Sequence, residues 1–164
     1  MIHTKKVTEF GLLLAVSLIF SYLETLIPVF VAVPGVKIGL ANMITLIILY
    51  REGGKQAFFF MLLRVFLAGF LFSGASGIIY GLAGGICSII VMFFLKKCSC
   101  FSVIGVSITG GIFHNLGQIM IAMLVMENVQ ILYYFSVLLV SGTVTGFFVG
   151  YLSYLMFKQL NKIL

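Results

Sequence analysis

His114, Asn115 and Gln118 stand within five residues of one another in an otherwise apolar stretch, Phe113-His-Asn-Leu-Gly-Gln118. On a helix, positions four apart share a face, so His114 and Gln118 point the same way. Ser107 and Gly111 continue that stripe, which is small at one end and polar at the other. Such a set can hydrogen-bond a small molecule, or it can simply satisfy itself inside a core; residue types leave both readings open. Arg64 is the next unusual residue, placed inside the apolar run from Gln56 to Phe72. Nine residues past Lys55, it lies roughly 13 Å along a helix, near the middle of a hydrocarbon layer about 30 Å thick. Glu24, one turn before Pro28, is its natural partner. Lys37 and Asn42 belong to the start of another helix. The free N–H groups and dipole there favour anions, so a lysine in that first turn calls for something negative: a lipid phosphate, or a ligand carboxylate or phosphate.

The chemistry open to this set is binding. Ionisable groups at membrane depth are costly and mark candidate sites. Glu24, Lys37, Asn42, Arg64, His114, Asn115 and Gln118 all fall from the midplane toward one side, which describes a pocket open on that side. A continuous ion path would place polar residues at both depths. Catalysis is harder to build. The four acidic residues are Glu9, Glu24, Glu52 and Glu127, with no aspartate. Hard cations need clustered oxygen ligands, so neither a magnesium–diphosphate centre nor any other metal site is expected. Cys98 and Cys100 form a C-x-C pair without a third ligand nearby. No cofactor is expected, and no phosphate-binding G-xxxx-G-K-S/T loop occurs.

The elements that carry these residues follow from composition. Apolar residues make up 62% of the chain and charged residues 9%, against about 45–50% and roughly 25% in soluble domains. A water-soluble core could not hold so much. The 164 residues form one transmembrane domain, with helices over about 8–28, 34–50, 56–72, 76–95, 101–126 and 130–157. The first run is too long for a cleavable signal peptide and lacks a small-residue cleavage site. Basic residues test the count. With both termini in the cytoplasm, Lys5, Lys6, Arg51, Lys55, Lys96, Lys97, Lys158 and Lys162 all fall inside, as lysine and arginine do in cell membranes. The net charge of +6 therefore reflects topology, and nucleic acid is not an expected partner.

Small residues four apart let membrane helices approach closely. Gly142, Gly146 and Gly150 form one such ridge, and Gly77, Gly81 and Gly85 another; internal packing accounts for both. Gly11 and Ala15, on the first helix, either pack inside the bundle or present a docking surface for another membrane subunit.

Two segments, Pro34-Gly-Val-Lys-Ile-Gly-Leu-Ala-Asn-Met43 and Gly110-Gly-Ile-Phe-His-Asn-Leu-Gly-Gln118, in a six-span frame, resemble the Gx transporter family, also described as heptaprenyl diphosphate synthase component I. The resemblance covers almost the whole chain. The family is similar to the substrate-binding S components of energy-coupling factor (ECF) transporters. That likeness implies six helices in a bacterial cell membrane and an outward pocket for a vitamin or similar small molecule. It also implies docking on a transmembrane coupling subunit through small residues of helix one, here Gly11 and Ala15, with separate ATPases supplying energy. Members found beside genes of flavin-based electron transfer point to a flavin-, quinone- or prenyl-related ligand. Two alternatives stand beside uptake: a non-catalytic membrane partner of a polyprenyl diphosphate synthase, and an assembly subunit of a flavin or quinone electron-transfer system.

Overall fold

A computed structural model describes residues 2–26, 39–98 and 100–163, with side chains described within 4–159. Lys37 and the expected helix start at Pro34 lie outside the described residues. The described residues form six α-helices: α1 (Ile2–Leu26), α2 (Leu40–Arg51), α3 (Gly54–Ala68), α4 (Gly74–Cys98), α5 (Val103–Met126) and α6 (Phe135–Ile163). A π-helical turn, Gly69–Ser73, extends α3, and a 3-10 turn, Val129–Tyr134, leads into α6. No strand occurs among the described residues.

Among the described residues, four stretches are long and apolar enough to cross a membrane: Thr4–Leu26, Gly54–Cys98, Val103–Met126 and Val129–Gln159. The chain is thus built as a membrane protein. The second stretch has 45 residues and doubles back. Its hinge is Gly74, whose φ of 69° only glycine adopts without strain. Beyond it α4 runs down α3, so that Gly81 faces Val65 and Gly85 faces Met61.

α2 is the buried centre. Ala41 and every residue from Met43 to Leu49 are buried, so the helix is apolar on all sides, as a core position demands. Its 12 residues span about 18 Å, short of a hydrocarbon layer of about 30 Å. A continuous helix over 34–50 is not what forms. Gly39, with φ 80° in the left-handed region, interrupts it, and α2 starts at Leu40. At its other end Lys96 of α4 donates to the carbonyls of Leu49 at 2.6 Å and Tyr50 at 3.3 Å. A cation at the C-terminal carbonyls of a helix satisfies free acceptors and complements the dipole.

The helices alternate in direction, and their ends sort by charge. Lys6 of α1 pairs with Glu52 after α2 at 3.5 Å. Tyr50 stacks near Phe157 of α6 with ring centroids 5.7 Å apart, and Gly54 of α3 abuts Phe93 of α4. Gly150 of α6 lies against Ile104 of α5. Lys6, Arg51, Lys55, Lys96, Lys97 and Lys158 therefore gather at one end of the bundle. On the flanks, Phe59, Phe70, Leu124, Val140 and Phe148 are exposed. Large apolar side chains facing outward in such number belong against lipid and not against water.

Candidate functional site

At the end away from the lysines, the helices enclose a cavity of about 580 Å³. That size suits a drug-sized organic molecule. Six of the seven residues singled out from the sequence line it: Glu24, Asn42, Arg64, His114, Asn115 and Gln118. Lys37 lies outside the described residues.

Arg64 is the centre of the polar wall. It is 8% exposed, and its Nη2 donates to Asn42 Oδ1 at 2.9 Å. Its Nε is buried without a hydrogen-bond partner among the described residues. A buried donor left unpaired costs about 1–3 kcal/mol, more when charged. Glu24 attracts Arg64 electrostatically, as its position in the sequence implies. Its carboxylate also accepts the Leu40 N–H. A carboxylate at the first turn of α2 meets both the orphan donors and the dipole of that helix.

α5 is held between α4 and α6, and close backbone approach on both sides sets its depth. A Cβ on Gly84 would come within 2.8 Å of the His114 carbonyl oxygen and 2.9 Å of the ring; the bare glycine lets the imidazole lie against α4. On the other side, a Cβ on Gly146 would meet Ile108 Cα at 2.7 Å. The two glycine ridges thus pack inside the bundle, Gly81 and Gly85 against α3, and Gly142, Gly146 and Gly150 against α5. Asn115 is drawn into the same seam. Its Nδ2 donates to Leu138 O at 2.7 Å and to Ser141 Oγ at 3.3 Å. The amide nitrogen of Asn115 is therefore engaged in joining α5 to α6, while His114 and Gln118 line the cavity wall.

Several lining residues escaped the sequence reading. Ser73 closes the π-helical turn, Gly77 and Tyr80 follow at the start of α4, and Ser21 of α1 and Tyr134 of the 3-10 turn join them in the lining. The spacing of Ser73, Gly77 and Tyr80 is helical and could have flagged them. Nothing in the sequence announces the π-helical turn, two of whose residues, Gly69 and Ser73, line the cavity. π-turns recur at functional sites. Val65, Ala68, Ile119, Ala122, Met126, Ile131 and Leu138 supply apolar lining. Below Asn42 a second void of about 30 Å³ reaches Ser88, Ser107 and Thr145 among the apolar Leu46, Met92 and Val149; it is large enough for a water.

Gly11 and Ala15 are both exposed, and nothing lies within 4 Å of the Gly11 Cβ position. The Gly11 position thus differs from Gly81, Gly85, Gly142, Gly146 and Gly150, each of which abuts another helix.

A bundle of apolar helices around a polar-walled cavity defines a membrane protein with a small-molecule-sized chamber. The sequence profile of heptaprenyl diphosphate synthase component I matches residues 13–156, most of the chain, and the protein belongs to that family. No curated protein and no solved structure matches it.

Proposed function

We propose that this chain is the substrate-binding subunit of a small-molecule uptake system in the bacterial cell membrane, similar to an ECF S component. The observation that carries the reading is the cavity of about 580 Å³ with Arg64, held by Asn42 and attracted by Glu24, in its wall. A purely structural subunit has no use for such a chamber, and ionisable groups at that depth are costly to retain. In this reading all six helices belong to the membrane bundle, and the lysine-rich end, with both termini, faces the cytoplasm by the positive-inside rule. The cavity then opens outward. Glu24, Asn42, Arg64, His114, Asn115 and Gln118, together with Lys37, form the ligand site, with Asn115 acting through its oxygen. Gly11 and Ala15, exposed on α1, dock on a transmembrane coupling subunit, whose ATPases supply the energy. The ligand is a vitamin-, flavin-, quinone- or prenyl-related compound.

The test is ligand content. Protein purified in mild detergent should release a defined small molecule, identifiable by mass spectrometry, and Arg64→Ala should lose it while still inserting in the membrane. Equal ligand content in the variant would sink the site.

A second reading has one observation in its favour, the family itself. A protein described as component I of a synthase has a protein partner by that description. The chain would then be the non-catalytic membrane partner of a prenyl diphosphate synthase. Co-purification of a synthase, with an empty cavity, would favour it over uptake.

A further inference from the structure

Asn42 lines two spaces at once, the ligand-sized cavity on one side and the void of about 30 Å³ beneath it. The orientation of its amide decides what each side meets. A guanidinium can only donate hydrogen bonds, so the edge facing Arg64 is the carbonyl oxygen, 2.9 Å from Nη2. The other edge is Nδ2, which stands 3.8 Å from the Cβ position of Gly39, a residue that also borders the void. Among the described residues that nitrogen makes no hydrogen bond.

Three hydroxyl side chains reach the same void from three helices: Ser88 of α4, Ser107 of α5 and Thr145 of α6. Ser88 is 7% exposed and Ser107 5%, and neither hydroxyl is bonded to another described residue. Bare Gly110 keeps Ser88 close to α5, since a Cβ there would come within 3.2 Å of the Ser88 Oγ. Thr145 gives its proton to the Ser141 carbonyl at 2.9 Å, so toward the void its oxygen accepts. Buried polar groups are seldom left without partners.

One water balances the set. It accepts from Asn42 Nδ2, donates to Thr145 Oγ1, and exchanges one bond with each serine, whose hydroxyls turn to suit. Buried waters make about three hydrogen bonds, in a range of roughly 2–4. Leu46, Met92 and Val149 close the remaining sides. A sodium ion would also take oxygen ligands, as hard cations do, but Asn42 turns its donor edge to the void and holds the Arg64 cation on its other edge.

We infer that this void is a water site, and that Ser88, Ser107 and Thr145 are positioning residues that act on Asn42 through the water. By receiving Nδ2, the water keeps the amide from turning over, which would aim N–H groups at the guanidinium. The cavity floor is thereby coupled to Arg64 from α4, α5 and α6. The effect on a ligand rests on the uptake reading; the water itself does not.

Two measurements on the whole protein test the water. A wild-type structure at a resolution that shows ordered solvent should place a peak within hydrogen-bond distance of Asn42 and of the hydroxyls. In protein carrying isotope-labelled asparagine, the Asn42 side-chain amide, assigned by its loss in Asn42→Ala, should cross-relax with a bound water. Ser88→Ala and Ser107→Ala should each shift that signal and leave the Asn115 amide in place. Co-purified ligand should fall by about threefold or more in the double serine variant, as loss of a hydrogen-bonded support implies. A dry void, or an Asn42 signal unmoved by both serine variants, would overturn the inference. So would stabilisation by sodium chloride over potassium chloride that the serine variants lose, because the occupant would then be a cation. Unchanged ligand content in the double variant would overturn the positioning role. An empty wild-type protein would overturn uptake instead, with the solvent peak and the Asn42 signal still deciding the water.

Discussion

The guanidinium of Arg64, on α3, is held by the side-chain oxygen of Asn42, the third residue of α2, across 2.9 Å. Residues 22 positions apart in sequence thus act as one unit: the amide holds the cation in the cavity wall. Asn42→Ala should therefore weaken ligand binding through disorder of Arg64, by less than Arg64→Ala does. Dissociation constants measured on both variants in detergent check the order. A stronger effect of Asn42→Ala would mean that Asn42 itself is the main ligand contact.

Asn115 and His114 are neighbours with different duties. Asn115→Ala removes the tie from α5 to the Leu138 carbonyl. Side-chain hydrogen bonds between membrane helices are worth about 0.6 kcal/mol on average and up to about 1.7, so a loss of stability in that range is expected. His114→Ala should leave stability closer to wild type and lower ligand affinity. Unfolding in detergent together with binding separates the two. The assignment fails if the variants behave alike.

Gly146→Val tests the α5–α6 seam. Its Cβ would sit 2.7 Å from Ile108 Cα and 2.9 Å from the Ser107 carbonyl oxygen, and backbone cannot move aside as a side chain can. Overpacking of this kind costs about 1–3 kcal/mol. A lower unfolding temperature with reduced yield is expected, and a wild-type melting curve would show the seam to be looser than described.

Gly11→Leu and Ala15→Leu place bulk on an open face of α1. Neither should alter folding or ligand binding. Both should abolish co-purification with a coupling subunit. Retained association would locate docking elsewhere on the bundle.

Topology can be read from native thiols. Cys98 and Cys100 are exposed at the lysine-rich end. A membrane-impermeant maleimide should label them only after cells are permeabilised. Tyr133→Cys, at a residue 85% exposed beyond the opposite end of α5, should label in intact cells. The reverse pattern would invert the bundle and turn the cavity toward the cytoplasm.

Hydropathy made the helices legible, because each long apolar run has one way to satisfy its backbone in lipid. Charge made the cavity residues legible for a related reason. An ionisable group such as Arg64 or Glu24 is tolerated in hydrocarbon only where a cavity or a partner receives it, and Glu24, Arg64 and His114 line one chamber together with Asn42, Asn115 and Gln118. What stayed hidden depends on backbone detail. The left-handed Gly39 shortens α2 at a place where hydropathy continues, and the π-turn at Gly69–Ser73 has no compositional mark. Whether a polar side chain serves packing or a ligand was equally invisible. Asn115 and His114 are adjacent in sequence, but they turn toward α6 and α4 respectively.

The brevity of α2 has an architectural result. Within the described residues, the central rod of about 18 Å is about 12 Å shorter than a layer of about 30 Å, and the chamber sits at its Gly39 end. Its depth is governed by where the rod begins, so Gly39 acts as a stop set by its φ of 80°. Shifting that stop by one turn would raise or lower the floor by about 5.4 Å with the surrounding wall left in place, a simple route by which one scaffold could be fitted to cargo of different length.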